Sequence, residues 1–498
     1  MSTEARRAVV AAAPVDRNLV VALGAVALVT VLHIAAAAGL KLSVDEAHYT
    51  LYGVHLDWSY YDHPPLVGWL QWLVLHLGDS ELVLRTWAFV GYVAISALVY
   101  RIARDAAVEA QVPPRRAGAI AVLLVAGMPA AHFMGIGFVP EVPFAVSALC
   151  LVLPVERLAR DPTRMQSWLA LGALLGLAGL SKYTALLLAI GLVIFIVWER
   201  RWNWFTQPGA WLAVVIGLCL IAPVIDWNAR HGWASFVYQW GHVEGGANSK
   251  LVNAELFALA QIPFYSVAVT FAVWRPVIGA RTTLARLLVS LGLPIVVAGV
   301  LAGGKLHWTY VGWLLLTPLV ACRLAAPVWS RGLRVAAVSS AVLSALTVSA
   351  VLALLTFRPI ERFPATASAL SGLIGWDDAA RRADQLRRQV FPADAGATLM
   401  VANWTYAGRL AWYARPVPVQ LNDERRSQFD YWFGKPHGPA ILVQPVDDAT
   451  APPPKLAIPM DCRFLEELDT PPKERPANRF RFYACTPSPP APVVAPSS

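Results

Sequence analysis

Residues 19–40 form an almost unbroken apolar run, and Asp45, Glu46 and His48 follow it at once. At about 1.5 Å of rise per residue, such a run crosses a hydrocarbon core of roughly 30 Å. Inside lipid the backbone amides must be satisfied within the segment, so the run has to be helical. Ten more apolar stretches follow, at 86–100, 117–133, 139–155, 168–180, 184–198, 210–225, 256–274, 287–301, 308–320 and 335–355. The chain therefore reads as a polytopic α-helical membrane protein with about 11 transmembrane helices. A composition of 57% hydrophobic and 15% charged residues agrees.

The formal charge of +9 does not indicate nucleic acid, because the arginines fall in short clusters between apolar runs. Arg101, Arg104, Arg115 and Arg116 follow the second run, and Arg157, Arg160 and Arg164 the fourth. Arg200 and Arg201 follow the sixth, Arg275, Arg281 and Arg286 the eighth, and Arg323, Arg331 and Arg334 the tenth. With the N-terminus inside, every cluster lands on the cytoplasmic face, as the positive-inside bias requires. Arg6, Arg7 and Arg17 precede the first run, whose end, IAAAAG, resembles a signal-peptide cleavage region; its length favours an uncleaved first helix.

The opposite, extracytoplasmic face receives different residues. The loop 41–85 carries Asp45, Glu46, His48, Asp57, Asp62 and His63 together with Trp58, Tyr60, Tyr61, Trp69 and Trp72. Ionisable groups are costly in lipid and amphipathic rings favour the headgroup zone, so this loop lies along the membrane surface. The same face receives Glu141, the turn Ser181-Lys182-Tyr183, a polar loop over 226–253 and the turn from Gly303 through Lys305 and His307 to Trp308.

Each residue has a plain reading beside the chemical one. Asp45 or Glu46 is a general base if it reaches an acceptor hydroxyl, or an acid facing water at a helix end. Lys182 snorkels, or meets a phosphate. Arg85 pairs with Glu81 one turn away, or takes a phosphate bidentately. Glu141 caps a helix or serves as a second acid. Lys305 and His307 meet a phosphate or a metal, or are simply hydrogen-bonded.

From 357 to 485 the composition changes to that of a soluble α/β domain on the same face, with an amphipathic helix at 376–390, strands at 398–402 and 440–443, and a helix at 406–413 between them. Cys462 and Cys485 fall in it, either bonded or as two free thiols. Residues 486–498, rich in proline, read as a disordered tail.

Asp45-Glu46-Ala47-His48-Tyr49, His55-Leu56-Asp57-Trp58 and Tyr61-Asp62-His63-Pro64-Pro65 resemble the protein-mannosyltransferase-like integral membrane glycosyltransferases, a group that includes the lipid A aminoarabinose transferases. Ser181-Lys182-Tyr183-Thr184 and Lys305-Leu306-His307-Trp308 are similar to later motifs of that group. His48 stands where many relatives have an aromatic residue, and Val139-Pro140-Glu141 replaces Thr-Pro-Asp. The resemblance implies a GT-C fold over residues 1–356 in a bacterial inner membrane. It implies a polyprenyl-phosphate sugar donor and an extracytoplasmic lipid, glycan or protein acceptor, without nucleic acid. Asp45, with Glu46, would be the catalytic carboxylate of an inverting transfer. Arg85, Lys182, Tyr183 and Lys305 would hold the donor phosphate, with His48, Tyr49, Asp62, His63, Glu141, His307 and Trp308 around the substrate. A divalent ion near the phosphate occurs in some relatives. The alternative is a transporter or flippase of a lipid-linked sugar, whose ionisable groups would sit at mid-membrane within inverted repeats. The chain shows no such repeat.

Overall fold

The computed structural model describes residues 16–244, 247–303, 305–357, 374–392, 396–446, 452–469 and 479–488. Among the described residues seven helices are long and apolar enough to span a membrane: Arg17–Ala38, Glu81–Glu109, Glu141–Arg160, Pro208–Arg230, Thr283–Ala302, Leu306–Ala325 and Arg331–Ala350. Two further spans are bent pairs, and two apolar helices, Met165–Ser181 and Tyr183–Trp198, are shorter. All eleven apolar runs are thus helical, and the polytopic class holds.

The bends have local causes. Pro114–Ala126 and Pro129–Ile136 meet at 71°, because Pro129 lacks the N–H that would continue the ladder and instead starts a new helix. Glu255–Tyr265 and Val267–Ile278 meet at 115° around Ser266, whose φ of 83° ends one helix and begins the next. Elsewhere backbones approach closely. A Cβ on Gly312 would lie 2.7 Å from the Gly292 carbonyl oxygen, and one on Gly292 would lie 2.9 Å from that of Gly312. Small residues at such a crossing let two membrane helices touch.

The stretch 226–253 is not the polar loop that its composition suggests. The seventh span continues to Arg230, a helix occupies Ala234–Glu244, and another runs over Ala247–Tyr265. The middle helix is amphipathic: Phe236, Val237 and Trp240 are outward and exposed, while Ser235 Oγ donates to the Tyr60 carbonyl and Gln239 to that of Asp62. Polar and aromatic residues at helical spacing hid it.

Beyond the bundle lies a five-stranded sheet, β1 (Thr398–Val401), β2 (Val419–Leu421), β3 (Ala440–Val446), β4 (Met460–Asp469) and β5 (Arg479–Pro487), ordered β2-β1-β3-β5-β4. β1 pairs in parallel with β2 and β3, whereas β5 is antiparallel to β3 and β4. Helices Trp376–Val390 and Trp404–Tyr413 pack on it. Cys462 and Cys485 face each other across β4 and β5 and are joined by a disulfide. β5 runs on through Thr486 and Pro487, so the tail does not begin at 486; residues 489–498 lie outside the described residues, as do 1–15 with Arg6 and Arg7. This domain shares one apolar core with the first loop: Leu42, Ala47, Leu51, Val74 and Leu84 cluster with Trp376, Leu410, Trp412, Phe429 and Phe482.

Candidate active site

Ser43 starts the helix Val44–Val54 with a capping box. Its Oγ accepts from the Glu46 amide at 3.3 Å, and Glu46 Oε2 accepts from the Ser43 amide at 3.0 Å. This fixes the first turn, and with it the directions of Asp45 and Glu46. Glu46 turns inward and is buried. Arg85 Nε donates to its Oε1 at 2.6 Å and Nη2 to its Oε2 at 3.1 Å. The other Arg85 protons go to the carbonyls of Ala37 and Leu40, both at 2.7 Å, and Lys41 at 3.0 Å. All five guanidinium protons are therefore used, and they close the carbonyl end of the first span.

Two expectations change with that geometry. Glu46 is not a free base, and Arg85 is not a phosphate ligand; together they are a structural clasp. Glu81, the expected partner of Arg85, instead meets Lys41 at 3.2 Å.

Asp45 faces the other way. Its side chain is 30% exposed, and the one ion pair it makes among the described residues is with Lys305, 3.8 Å away and 56% exposed. Next to it sits a buried cluster. Glu141, at the first turn of its helix, pairs with Lys182 from the turn after Met165–Ser181. His307 Nε2 lies 3.3 Å from the same Glu141 oxygen. Lys182 Nζ lies 6.0 Å from the Trp308 ring centroid, and Phe133 stacks on His307. The bend at Pro129 brings Phe133 there. Tyr183 reaches Ser59 Oγ at 3.4 Å. Lys182 is thus already neutralised by Glu141, which leaves Lys305 as the open cation of the three proposed.

His63 joins this cluster to the loop. Its ring meets Tyr49 edge-on, and burial pushes its imidazole down to about 4, with Lys182 acting in the same direction and Asp62, Glu141 and Asp45 opposing. Burial also pushes the Tyr49 hydroxyl well above its ordinary value, helped by Asp45, Asp62 and Glu141. Burial would raise the Asp62 carboxyl, yet the attraction and hydrogen bond of His48, with His63 and Tyr52, hold it below the usual carboxylate range.

His48 and Asp62 belong to a neighbouring compartment. His48 Nε2 lies 3.0 Å from Asp62 Oδ2, Tyr52 donates to Asp62, and Phe429 and Trp432 of the soluble domain pack on the His48 ring. Arg425, Tyr238 and Trp404 line the same crevice, with Arg425 donating to Tyr238 at 2.6 Å. Sequence reasoning missed Arg425, Arg426 and Trp432; the run Arg425-Arg426-Ser427-Gln428-Phe429-Asp430-Tyr431-Trp432 was the signal available.

A divalent ion does not fit the residues present. Among the described residues no group of three or more His, Cys, Asp or Glu side chains is arranged to hold one. Glu141 and His307 supply two ligands, and Lys182 already occupies the glutamate.

Residues 62–227 match the family described as Dolichyl-phosphate-mannose-protein mannosyltransferase. Over most of its length the fold is similar to that of ArnT from Cupriavidus metallidurans bound to undecaprenyl phosphate. That match has 16% identity and a TM-score of 0.63, and covers 93% of this chain and 97% of that one. The apo state of the same protein matches with 15% identity and a TM-score of 0.61 over the same shares. No curated protein matches the chain by sequence. Of the motifs, Asp62-His63-Pro64-Pro65 and Ser181-Lys182-Tyr183-Thr184 fall within that family match, and the architecture is a GT-C fold with a C-terminal sheet domain.

Proposed function

We propose that this protein is an inverting glycosyltransferase that moves a sugar from a polyprenyl-phosphate donor to an extracytoplasmic acceptor, with Asp45 as general base. The observation that carries the reading is the contrast between two adjacent carboxylates: Glu46 is saturated by Arg85, whereas Asp45 is open beside Lys305. A base must be within reach of the proton that it removes, and Asp45 is the acid of this loop left free to do so. The GT-C fold shared with a protein that binds undecaprenyl phosphate supports the donor class.

The reaction is a single displacement. The acceptor oxygen forms a bond to the anomeric carbon as the bond from that carbon to the phosphate oxygen breaks. The electron pair leaves on polyprenyl phosphate, and the acceptor proton passes to Asp45. Lys305 is the cation placed to meet the negative charge developing on the leaving phosphate. Lys182, held by Glu141, stands behind it, and His63, neutral near pH 7, adds no positive charge to the cluster. The arginine clusters orient the protein with its N-terminus in the cytoplasm and Asp45, Lys305 and the sheet domain outside a bacterial inner membrane.

The test compares wild type with Asp45→Asn in detergent, each given a panel of polyprenyl-phosphate sugars and a crude envelope extract. Release of polyprenyl phosphate by the wild type, falling by about a hundredfold or more in the variant, is the expected result for loss of a general base. Equal release by both proteins removes Asp45 from the mechanism.

A further inference from the structure

The bundle has a second concavity at the end remote from Asp45. The helix Thr283–Ala302, 20 residues long, leads from it to the turn carrying Lys305, so the two sites are about 30 Å apart at 1.5 Å of rise per residue. Ala106, Ala110, Ala285 and Cys322 supply its apolar wall, and Arg281 and Arg323 stand at its edge. The volume is about 320 Å³, within the range of cavities that hold small ligands, roughly 300–1,000 Å³.

Its charge is one-sided. Arg275 is near enough for its charge to act on Arg323, and among the described residues none of Arg275, Arg281 and Arg323 forms an ion pair with a carboxylate. Arg323 gives one proton to the Ala272 carbonyl at 2.9 Å. The neighbouring Arg286 behaves differently, meeting Glu199 at 2.6 Å. Beside the cavity the short helix Trp274–Ile278 turns Trp274 and Ile278 outward, 46% and 86% exposed. A tryptophan and an isoleucine outward beside three uncompensated arginines is the arrangement of a segment lying at headgroup depth.

We propose that this cavity binds an anionic phospholipid of the leaflet at that end of the bundle. Arg281 and Arg323, with Arg275 nearby, hold the headgroup phosphate, and part of one acyl chain fills the space between Ala106, Ala285 and Cys322. The apolar wall selects against free phosphate, and the uncompensated charge selects against a zwitterionic headgroup. Basic recesses between membrane helices recognise lipid headgroups by the same combination. The site is independent of sugar transfer, since it uses no residue of the Asp45 cluster.

Native mass spectrometry of the full chain in detergent tests this, with dioleoylphosphatidylglycerol, dioleoylphosphatidylcholine and inorganic phosphate as probes. The wild type is expected to retain one phosphatidylglycerol about 25-fold more tightly than phosphatidylcholine, at roughly a factor of five for each of Arg281 and Arg323 near a membrane surface. Inorganic phosphate should not displace it. Arg275→Gln with Arg281→Gln alters two exposed side chains and should weaken phosphatidylglycerol retention by about fivefold or more, leaving only what Arg323 contributes. Ala285→Leu, which fills the cavity without touching charge, should weaken both lipids. Equal retention of the two lipids by wild type, or undiminished retention by both variants, overturns the proposal. Displacement by inorganic phosphate replaces it with a free-anion site. Because binding is read without turnover, the result stands whether or not the glycosyltransferase reading does.

Discussion

Asp45 and Glu46 are adjacent, yet one step along a helix turns a side chain by about 100°. That rotation sends Glu46 into the protein against Arg85 and leaves Asp45 at the mouth of the site. Glu46→Ala would strand a buried guanidinium and should cost about 3–5 kcal/mol; Glu46→Ala with Arg85→Met should recover part of it. Asp45→Asn should stay within about 0.5 kcal/mol of wild type, and denaturant unfolding in detergent separates these outcomes. His63 gives a pH signature. The unfolded chain binds its proton near 6.5, whereas the folded chain waits until about 4. The stability due to this group is therefore complete above pH 6.5 and lost as pH falls towards 4. Melting temperatures of His63→Gln should fall less steeply than those of wild type across that window, and parallel slopes would contradict the assignment. Asp45, Lys182, Lys305 and His307 could be picked out in the sequence by their place opposite the arginines. Their pairings could not, because Glu46 and Arg85 are 39 residues apart and Glu141 and Lys182 are 41 apart; only tertiary packing decides which cation each acid meets.

At the scale of elements, apolar length was a sufficient signal for the spans, because lipid leaves the backbone no alternative to a helix. The helix Ala234–Glu244 escaped notice since its exposed face is built from Trp, Phe and Val among polar residues. β4 was equally hidden: Met460–Asp469 is an edge strand with Asp461, Arg463, Glu467 and Asp469 along it, and charge on an edge suppresses unwanted pairing while erasing the apolar pattern. Helix crossings make a prediction of their own. At Gly312 a larger side chain meets the Gly292 backbone, which cannot rotate away as a side chain can. Gly312→Leu should lower stability by about 1–3 kcal/mol or more, whereas Gly332→Leu, where a Cβ meets nothing within 4 Å, should be nearly neutral by the same thermal assay.

For the molecule as a whole, the decisive feature is the apolar core common to the first loop and the sheet domain. Its margin is polar: Tyr413 Oη accepts from the Leu42 amide at 3.3 Å, and Lys41 meets Asp377 at 3.2 Å. Composition marks the change near 357 but not this union, since the contacts join residues more than 300 positions apart. A chain ending at 373 should lose amide protection over Val44–Val54, read by hydrogen exchange; unchanged protection would show that the loop stands without the sheet. The backbone of Asp45 therefore rests on a scaffold to which Leu410, Trp412 and Phe429 contribute from the far end of the chain. For protein engineering, the natural unit of exchange is discontinuous. A chimaera that imports the sheet domain of another protein of this fold should also import its counterpart of residues 42–84, because a graft of the sheet domain alone would set two unmatched halves of one core against each other.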